Sequence, residues 1–114
     1  MFLTNPLPLA LLFSLTTLAS AGSGDGTWFT PGLGACGATS ASTDLIVALS
    51  PSEFASGAHC YKHITITFNG KTTDATVVDE CPGCEVGSLD LSPAAFSALA
   101  SLGAGRIKVD WWFA

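Results

Sequence analysis

Positive charge is scarce in this chain: its 114 residues hold four Lys and Arg against nine Asp and Glu, for a net charge of −5. A nucleic-acid binder needs a basic face that displaces counterions, and four scattered cations (Lys62, Lys71, Arg106 and Lys108) do not build one. Acidic substrates and anionic membranes are disfavoured on the same ground, which leaves neutral partners such as uncharged polysaccharide as the easiest fit. Long apolar runs are lacking too. The only candidate, Leu7 to Leu18, is shorter than the ~20 residues that span a bilayer. No linker, repeat or low-complexity tract divides the chain, so one domain is expected. No Asn-x-Ser/Thr triplet occurs, and N-glycosylation is not expected.

The apolar run nevertheless has a reading. It is uncharged, carries Leu9 to Phe13 at its centre and ends in Ala19-Ser20-Ala21, the small-x-small pattern of a signal-peptidase site, with a flexible Gly22-Ser23-Gly24 lead expected after it. A basic n-region is missing. The expectation is a signal peptide over residues 1–21, then a secreted, extracellular domain over 22–114. Four cysteines, all after that site, read as two disulfides formed in an oxidising compartment.

Along the domain, Thr27 to Thr30 is a short β-prone run stopped by Pro31-Gly32, and Gly32 to Gly37 is a tight loop. Asp44 to Leu49 reads as an apolar strand. Ser50-Pro51-Ser52-Glu53 joins a Ser cap, a first-turn Pro and a Glu three residues on, and Gly57 ends that turn. Cys60 to Cys81 reads as a β-hairpin about Asn69-Gly70, with Ile64, Ile66 and Phe68 on one face. A second helix is expected from Ser92-Pro93 to Leu102, stopped by Gly103. In Arg106 to Phe113, Ile107, Val109, Trp111 and Phe113 alternate with Lys108, Asp110 and Trp112, which gives a strand with one wet face. Short strands with two small helices suit a closed barrel.

Three disulfide pairings are open. A hairpin turn centred between Gly70 and Lys71 sets Cys60 opposite Cys81, whereas a tighter Asn69-Gly70 turn sets Asp79 there with Cys81 near. Cys60–Cys81 is favoured, leaving Cys36–Cys84. A thioredoxin-type redox pair at Cys81-Pro82-Gly83-Cys84 is disfavoured, because a loop follows rather than a helix. A zinc site built from the four cysteines, or with His59 and His63, is disfavoured in an exported chain. No metal or other cofactor is expected.

The string Val77-Val78-Asp79-Glu80-Cys81-Pro82-Gly83-Cys84, followed by Gly87-Ser88-Leu89-Asp90-Leu91-Ser92-Pro93, resembles the expansin-like proteins, and among them the small secreted loosenins. Thr27 to Phe29, Gly34 to Gly37, Ala48 to Ser50 and Val109 to Phe113 match that family in order, so the resemblance covers essentially the whole domain. It implies a mainly β fold, a six-stranded rare lipoprotein A-like double-psi β-barrel with two short helices. It also implies binding and loosening of cell-wall polysaccharide without hydrolysis. Asp90 matches the family's indispensable aspartate, with helix capping at Ser92-Pro93 as the competing explanation. Asp79 matches a second aspartate, with a plain turn residue as its alternative. Cys81 stands where bacterial expansins carry a tyrosine.

Glycosidic cleavage needs an acid and a base on either side of the bond. Related hydrolases of glycoside hydrolase family 45 keep the base near the first strand, where this chain reads Trp28-Phe29-Thr30-Pro31 and has no carboxylate. Thr30 stands there, Asp25 is expected in a mobile tail, and an unassisted hydroxyl does not activate water. The chain is therefore read as no enzyme. Trp112, Trp28 and Tyr61 are the candidates for stacking on sugar rings, with a core role the alternative for Trp28. The expectation is a secreted monomer that holds chitin- or cellulose-type wall polysaccharide through Asp90, Asp79, Thr30, Trp112, Trp28 and Tyr61. The rivals are a cysteine-protease inhibitor or other interaction module, and a weak glycoside hydrolase or lytic transglycosylase.

Overall fold

The computed structural model describes residues 21–114; the expected signal peptide lies outside the described residues, apart from Ala21. Six strands close into a barrel: β1 (Ala21–Trp28), β2 (Ile46–Leu49), β3 (His63–Phe68), β4 (Lys71–Glu80), β5 (Leu89–Leu91) and β6 (Ile107–Phe113). Their order around the barrel is β1-β5-β2-β4-β3-β6, with β6 returning to β1. The β1–β5 and β2–β4 pairs are parallel and the others antiparallel. Two short helices, α1 (Pro51–Phe54) and α2 (Pro93–Ser97), follow β2 and β5. The mainly β, six-stranded barrel with two short helices is the fold read from the sequence. Helix α2 is shorter than expected; a separate 3-10 turn, Leu102–Ala104, precedes β6.

Alternation fills the barrel. Val47 and Leu49 from β2, Ile64 and Ile66 from β3, Leu89 and Leu91 from β5, and Val109 and Trp111 from β6 are all buried. Each such side chain contributes roughly 1.5–3 kcal/mol by leaving water. The expected alternation of β6 holds, with Trp111 1% exposed and Trp112 37% exposed.

Strand β1 is longer than the sequence suggests. Gly22-Ser23-Gly24 and Asp25 pair with β6 from Trp111 to Lys108, so this stretch is neither a flexible lead nor a mobile tail. Its alternate glycines make the contact close. A Cβ on Gly22 would lie 2.5 Å from the Trp111 indole, and one on Gly24 would lie 2.7 Å from the Gly87 carbonyl. Gly87 itself is buried with φ +89°, donates its N–H to Glu53 Oε1 (2.9 Å) and accepts from Trp111 Nε1 (2.9 Å). Glu53, recognisable as part of a helix start, thus also ties down the loop before β5. Its Oε1 takes the Ser50 hydroxyl as well, at 2.7 Å.

The cysteine pairing differs from the expectation. The bridges are Cys36–Cys60 and Cys81–Cys84, not Cys60–Cys81 and Cys36–Cys84. The cause is the hairpin turn. Asn69 (φ 51°) and Gly70 (φ 83°) form a two-residue turn that sets Phe68 opposite Lys71, the tighter of the two registers. Tyr61, also left-handed at φ 68°, then bends the chain off the β3 line before Cys60 is reached. Cys60 meets the loop at Cys36, with 5.7 Å between Cα atoms. In the chain-entropy picture the 24-residue separation of this bridge is worth about 3.5 kcal/mol, and the three-residue separation of Cys81–Cys84 about 2 kcal/mol. Cys36 and Cys60 also pack against the core.

Candidate functional site

Strand register lines up one row of residues across four strands. Thr27 of β1 pairs with Asp90 of β5, Asp90 pairs with Ala48 of β2, and Ala48 pairs with Asp79 of β4. Leu89 and Leu91 point into the core, so Asp90 between them points out; Val47 and Leu49 do the same for Ala48. Two inter-strand steps separate the aspartates, about 10 Å between their Cα atoms. Ala48, only 2% exposed, is the small floor between them.

A bulge makes this row. The β2–β4 register slips between Val47 and Ala48, pairing Val47 with Val77 but Ala48 with Asp79. Val78 is the extra residue, and without it Asp79 would not face Ala48. The Val78 carbonyl, left out of the ladder, accepts the Cys36 N–H at 3.1 Å. Asp79 Oδ1 accepts the N–H groups of Ala35 and Glu80, both at 2.8 Å. The Tyr61 hydroxyl donates to the Cys36 carbonyl at 2.7 Å. Asp79 is therefore the anchor of the 33–37 loop, and Tyr61, half exposed, flanks that loop.

Asp90 is held differently. It accepts the Thr27 hydroxyl at 2.9 Å and is half-buried. Burial pushes its carboxyl above the ordinary 3.8, and the negative charge of Asp79 adds to this; the Thr27 hydrogen bond and the Arg106 charge oppose it. It does not cap α2. Ser92 does, accepting from Ala95 N at 3.2 Å and donating to the Asp44 carbonyl at 2.6 Å. The carboxylate is thus free of the task that competed with a functional one.

A cleft of about 380 Å³ adjoins the row on the β1 side, lined by Asp25, Thr27, Cys81, Cys84, Ser88 and Arg106 among others. Asp25, on β1, bridges Lys108 (2.6 Å) and Arg106 (2.9 Å). Hydrogen bonds from these two, Lys108 first, hold its carboxyl below the ordinary range. Among the described residues no group of three or more His, Cys, Asp or Glu is arranged to hold a metal ion.

The six residues singled out from sequence do not all converge. Asp90 and Asp79 share the row, and Tyr61 stands beside the loop at the Asp79 end. Trp28, 38% exposed, ends β1 beyond Thr27 and donates its indole N–H to the Leu102 carbonyl at 2.9 Å. Thr30 is exposed two residues past β1, and the hydroxyl that meets Asp90 is that of Thr27. Only the parallel β1–β5 register, which short β5 conceals in the sequence, assigns that role. Trp112 pairs with Ala21 and Thr65 on the barrel wall, six residues along β1 from Thr27, or about 20 Å. It lies away from the row. His63 is on the same wall, 3.0 Å from Asp74. His59 stacks on Phe113 and bonds the Glu53 carbonyl.

Replacing Asp90 with Asn should raise the melting temperature at pH 7, because the amide keeps an acceptor for Thr27 and carries no buried charge. The folded state binds the Asp90 proton more tightly than the unfolded chain. The penalty of ionisation therefore appears as pH rises past the unfolded value near 3.8 and is complete above the folded one. At about pH 3 both forms are neutral and the gain should vanish. Thermal melts at both pH values check this; the same gain at each would contradict it.

Residues 21–111 match the double-psi β-barrel family described as lytic transglycolase. An allergen, Asp f 7 of Aspergillus fumigatus, is 43% identical over 68% of this chain and 29% of its own. The EG45-like domain containing protein of Citrus jambhiri is 31% identical over 85% of each. Among solved structures, a mutant of Clavibacter michiganensis expansin in complex with cellohexaose superposes with TM-score 0.77 at 30% identity, over 83% of this chain and 50% of that one. The Streptomyces papain inhibitor superposes with TM-score 0.75 at 30% identity, over 82% of this chain and 94% of that one. The chain spans about half the length of the expansin and under a third of the allergen. Sequence match and barrel topology agree: this chain belongs to the double-psi β-barrel family of expansins and lytic transglycosylase-like proteins.

Proposed function

We propose that this protein is secreted after removal of residues 1–21 and binds neutral cell-wall polysaccharide without hydrolysing it. On this reading the glycan lies along the row Thr27, Asp90, Ala48 and Asp79. The observation that carries this reading is that Asp90 faces a hydroxyl, Thr27, and not a second carboxylate. The half-buried Asp90 carboxylate accepts hydrogen bonds from sugar hydroxyls. Hydrolysis also needs a base placed to activate water on the other side of the bond. Asp79 is on the same row, and its Oδ1 is committed to two backbone amides. The expansin solved with cellohexaose, at 30% identity, supports a glucan-type ligand, and the net charge of −5 favours an uncharged one.

Pull-down on pure cellulose and chitin, beside a reducing-sugar assay, tests this. Wild type should bind and release no reducing ends. Asp90→Ala should bind about tenfold more weakly, the scale of one hydrogen bond to a charged group. Release of reducing ends by wild type but not by Asp90→Ala would overturn the non-hydrolytic reading. Unchanged binding by Asp90→Ala and Thr27→Val would rule out this row.

A second reading has its own observation: this chain matches 94% of the Streptomyces papain inhibitor in length, against half of the expansin. Inhibition of papain with no retention on either polysaccharide would favour a protease inhibitor.

A further inference from the structure

The two disulfides differ in what they hold. Cys36 and Cys60 pack against the barrel core, and their bridge ties the 33–37 loop to the approach to β3. Cys81 and Cys84 lie past the end of β4, closing a turn whose middle, Pro82-Gly83, is exposed. Both line the cleft that Thr27, Asp25 and Arg106 also line.

The segment after this turn is a ridge between two hollows. Cys84 and Glu85 line that cleft on one side, and on the other side line a shallower hollow with Ser50, Pro51, Ser52 and Val86. The ridge is pinned at both ends without help from the bridge. At one end Cys81 N–H donates to the Leu49 carbonyl at 2.7 Å. At the other, Gly87 is held by Glu53 and by Trp111. The barrel is therefore complete on either side of the bridge, and breaking the S–S bond releases only residues 82–86.

We propose that Cys81–Cys84 is a thiol-exchange site, a clasp that dithiols open to reshape the cleft beside Thr27 while the barrel stays folded. A thiolate of the dithiol attacks one sulfur, forming a mixed disulfide and expelling the other cysteine as thiolate. The second thiol, as thiolate, then displaces the remaining protein sulfur. Two electrons pass to the protein, the reagent leaves as its cyclic disulfide, and the reagent's two protons end on Cys81 and Cys84. A bridge that lines an open cleft is more accessible to an attacking thiolate, and exchanges faster, than one packed on a core.

The test is native-state reduction by dithiothreitol, followed by alkylation and peptide mass mapping. Cys81 and Cys84 should be labelled together at reagent levels where Cys36 and Cys60 are labelled at least tenfold less. Labelling of Cys36 and Cys60 first, or of all four at once, overturns the proposal. Hydrogen exchange on the Cys81→Ser, Cys84→Ser double variant is the second measurement. The amide at position 84, which in the oxidised protein is the Cys84 N–H donating to the Cys81 carbonyl at 3.1 Å, should exchange at least tenfold faster, with those of β3, β4 and β6 unchanged. Unchanged exchange at position 84, or loss of protection throughout the barrel, overturns it. Neither readout involves a glycan, so the outcome is independent of the polysaccharide reading.

Discussion

Gly87→Ala should lower stability by about 3–4 kcal/mol. Two costs combine: a left-handed backbone, about 1–2 kcal/mol for a residue with a Cβ, and overpacking, about 1–3 kcal/mol. Gly87 has φ +89°, and its Cβ would fall inside contact distance of the Ser23 carbonyl oxygen. That oxygen belongs to the β1 backbone, which pairs with β6 from Ala21 to Gly26, so it has nowhere to retreat. The same shift would strain the bonds from Gly87 to Glu53 and Trp111. For a domain of this size the loss corresponds to a fall in melting temperature of more than about 12 °C. Urea denaturation measures it directly. A cost below about 1 kcal/mol would mean that β1 and the 84–88 loop are not packed as described.

Trp111→Ala is expected to cost about 3–5 kcal/mol, the range for removing a large buried aromatic. Trp111 is the largest fully buried side chain, at 1% exposed, and sits edge-on to Phe113 with ring centroids 5.4 Å apart. Trp111→Phe separates two parts of this cost. The ring is largely kept, but the Gly87 carbonyl loses its N–H donor and is left unpaired, for about 1–3 kcal/mol. Trp111 and Gly87 are in direct contact, so their effects should not add. A double variant, Trp111→Phe with Gly87→Ala, should lose less than the sum of the two single losses. Strict additivity would show that they act as separate supports.

These two residues mark how far the sequence could be read. Trp111 was legible as an inward residue because the strand period of two is a local rule, visible in β6 without its neighbours. The helix starts at Ser50 and Ser92 were legible for the same reason, since a cap spans only a few residues. Asp90 stands out only through the resemblance to the expansin-like proteins, and the structure adds what frees it: Ser92 caps the helix in its place. Gly87 carries no local sign of its packing role, because its neighbours Ser23, Glu53 and Trp111 are remote in sequence. The glycines of β1 read as flexible for want of the same information. What they accommodate is an indole and another backbone.

The disulfides turned on a difference of two residues in hairpin register. Both registers were compatible with the Ile64, Ile66 and Phe68 pattern, because a two-residue slip leaves every side chain on its own face. Only the left-handed pair Asn69-Gly70 and the bend at Tyr61 decide between them. The neighbours of Asp79 depend likewise on the bulge at Val78, which no pattern in the chain announces.

By itself, then, the sequence determined a small, acidic, disulfide-bonded barrel with alternating strands, two capped turns of helix and Asp90 as its principal polar residue. Apart from Asp90, which the resemblance to the expansin-like proteins singles out, those features follow from composition and from contacts within a few residues along the chain. Tertiary structure alone decided that Thr27 is the partner of Asp90, that Trp112 stands about 20 Å along the strand from it, and that Cys81 pairs with Cys84 at the cleft. The physical reason is that strand pairing, bulges and backbone close approach join residues far apart in sequence. Which residues meet is set by how the whole barrel closes.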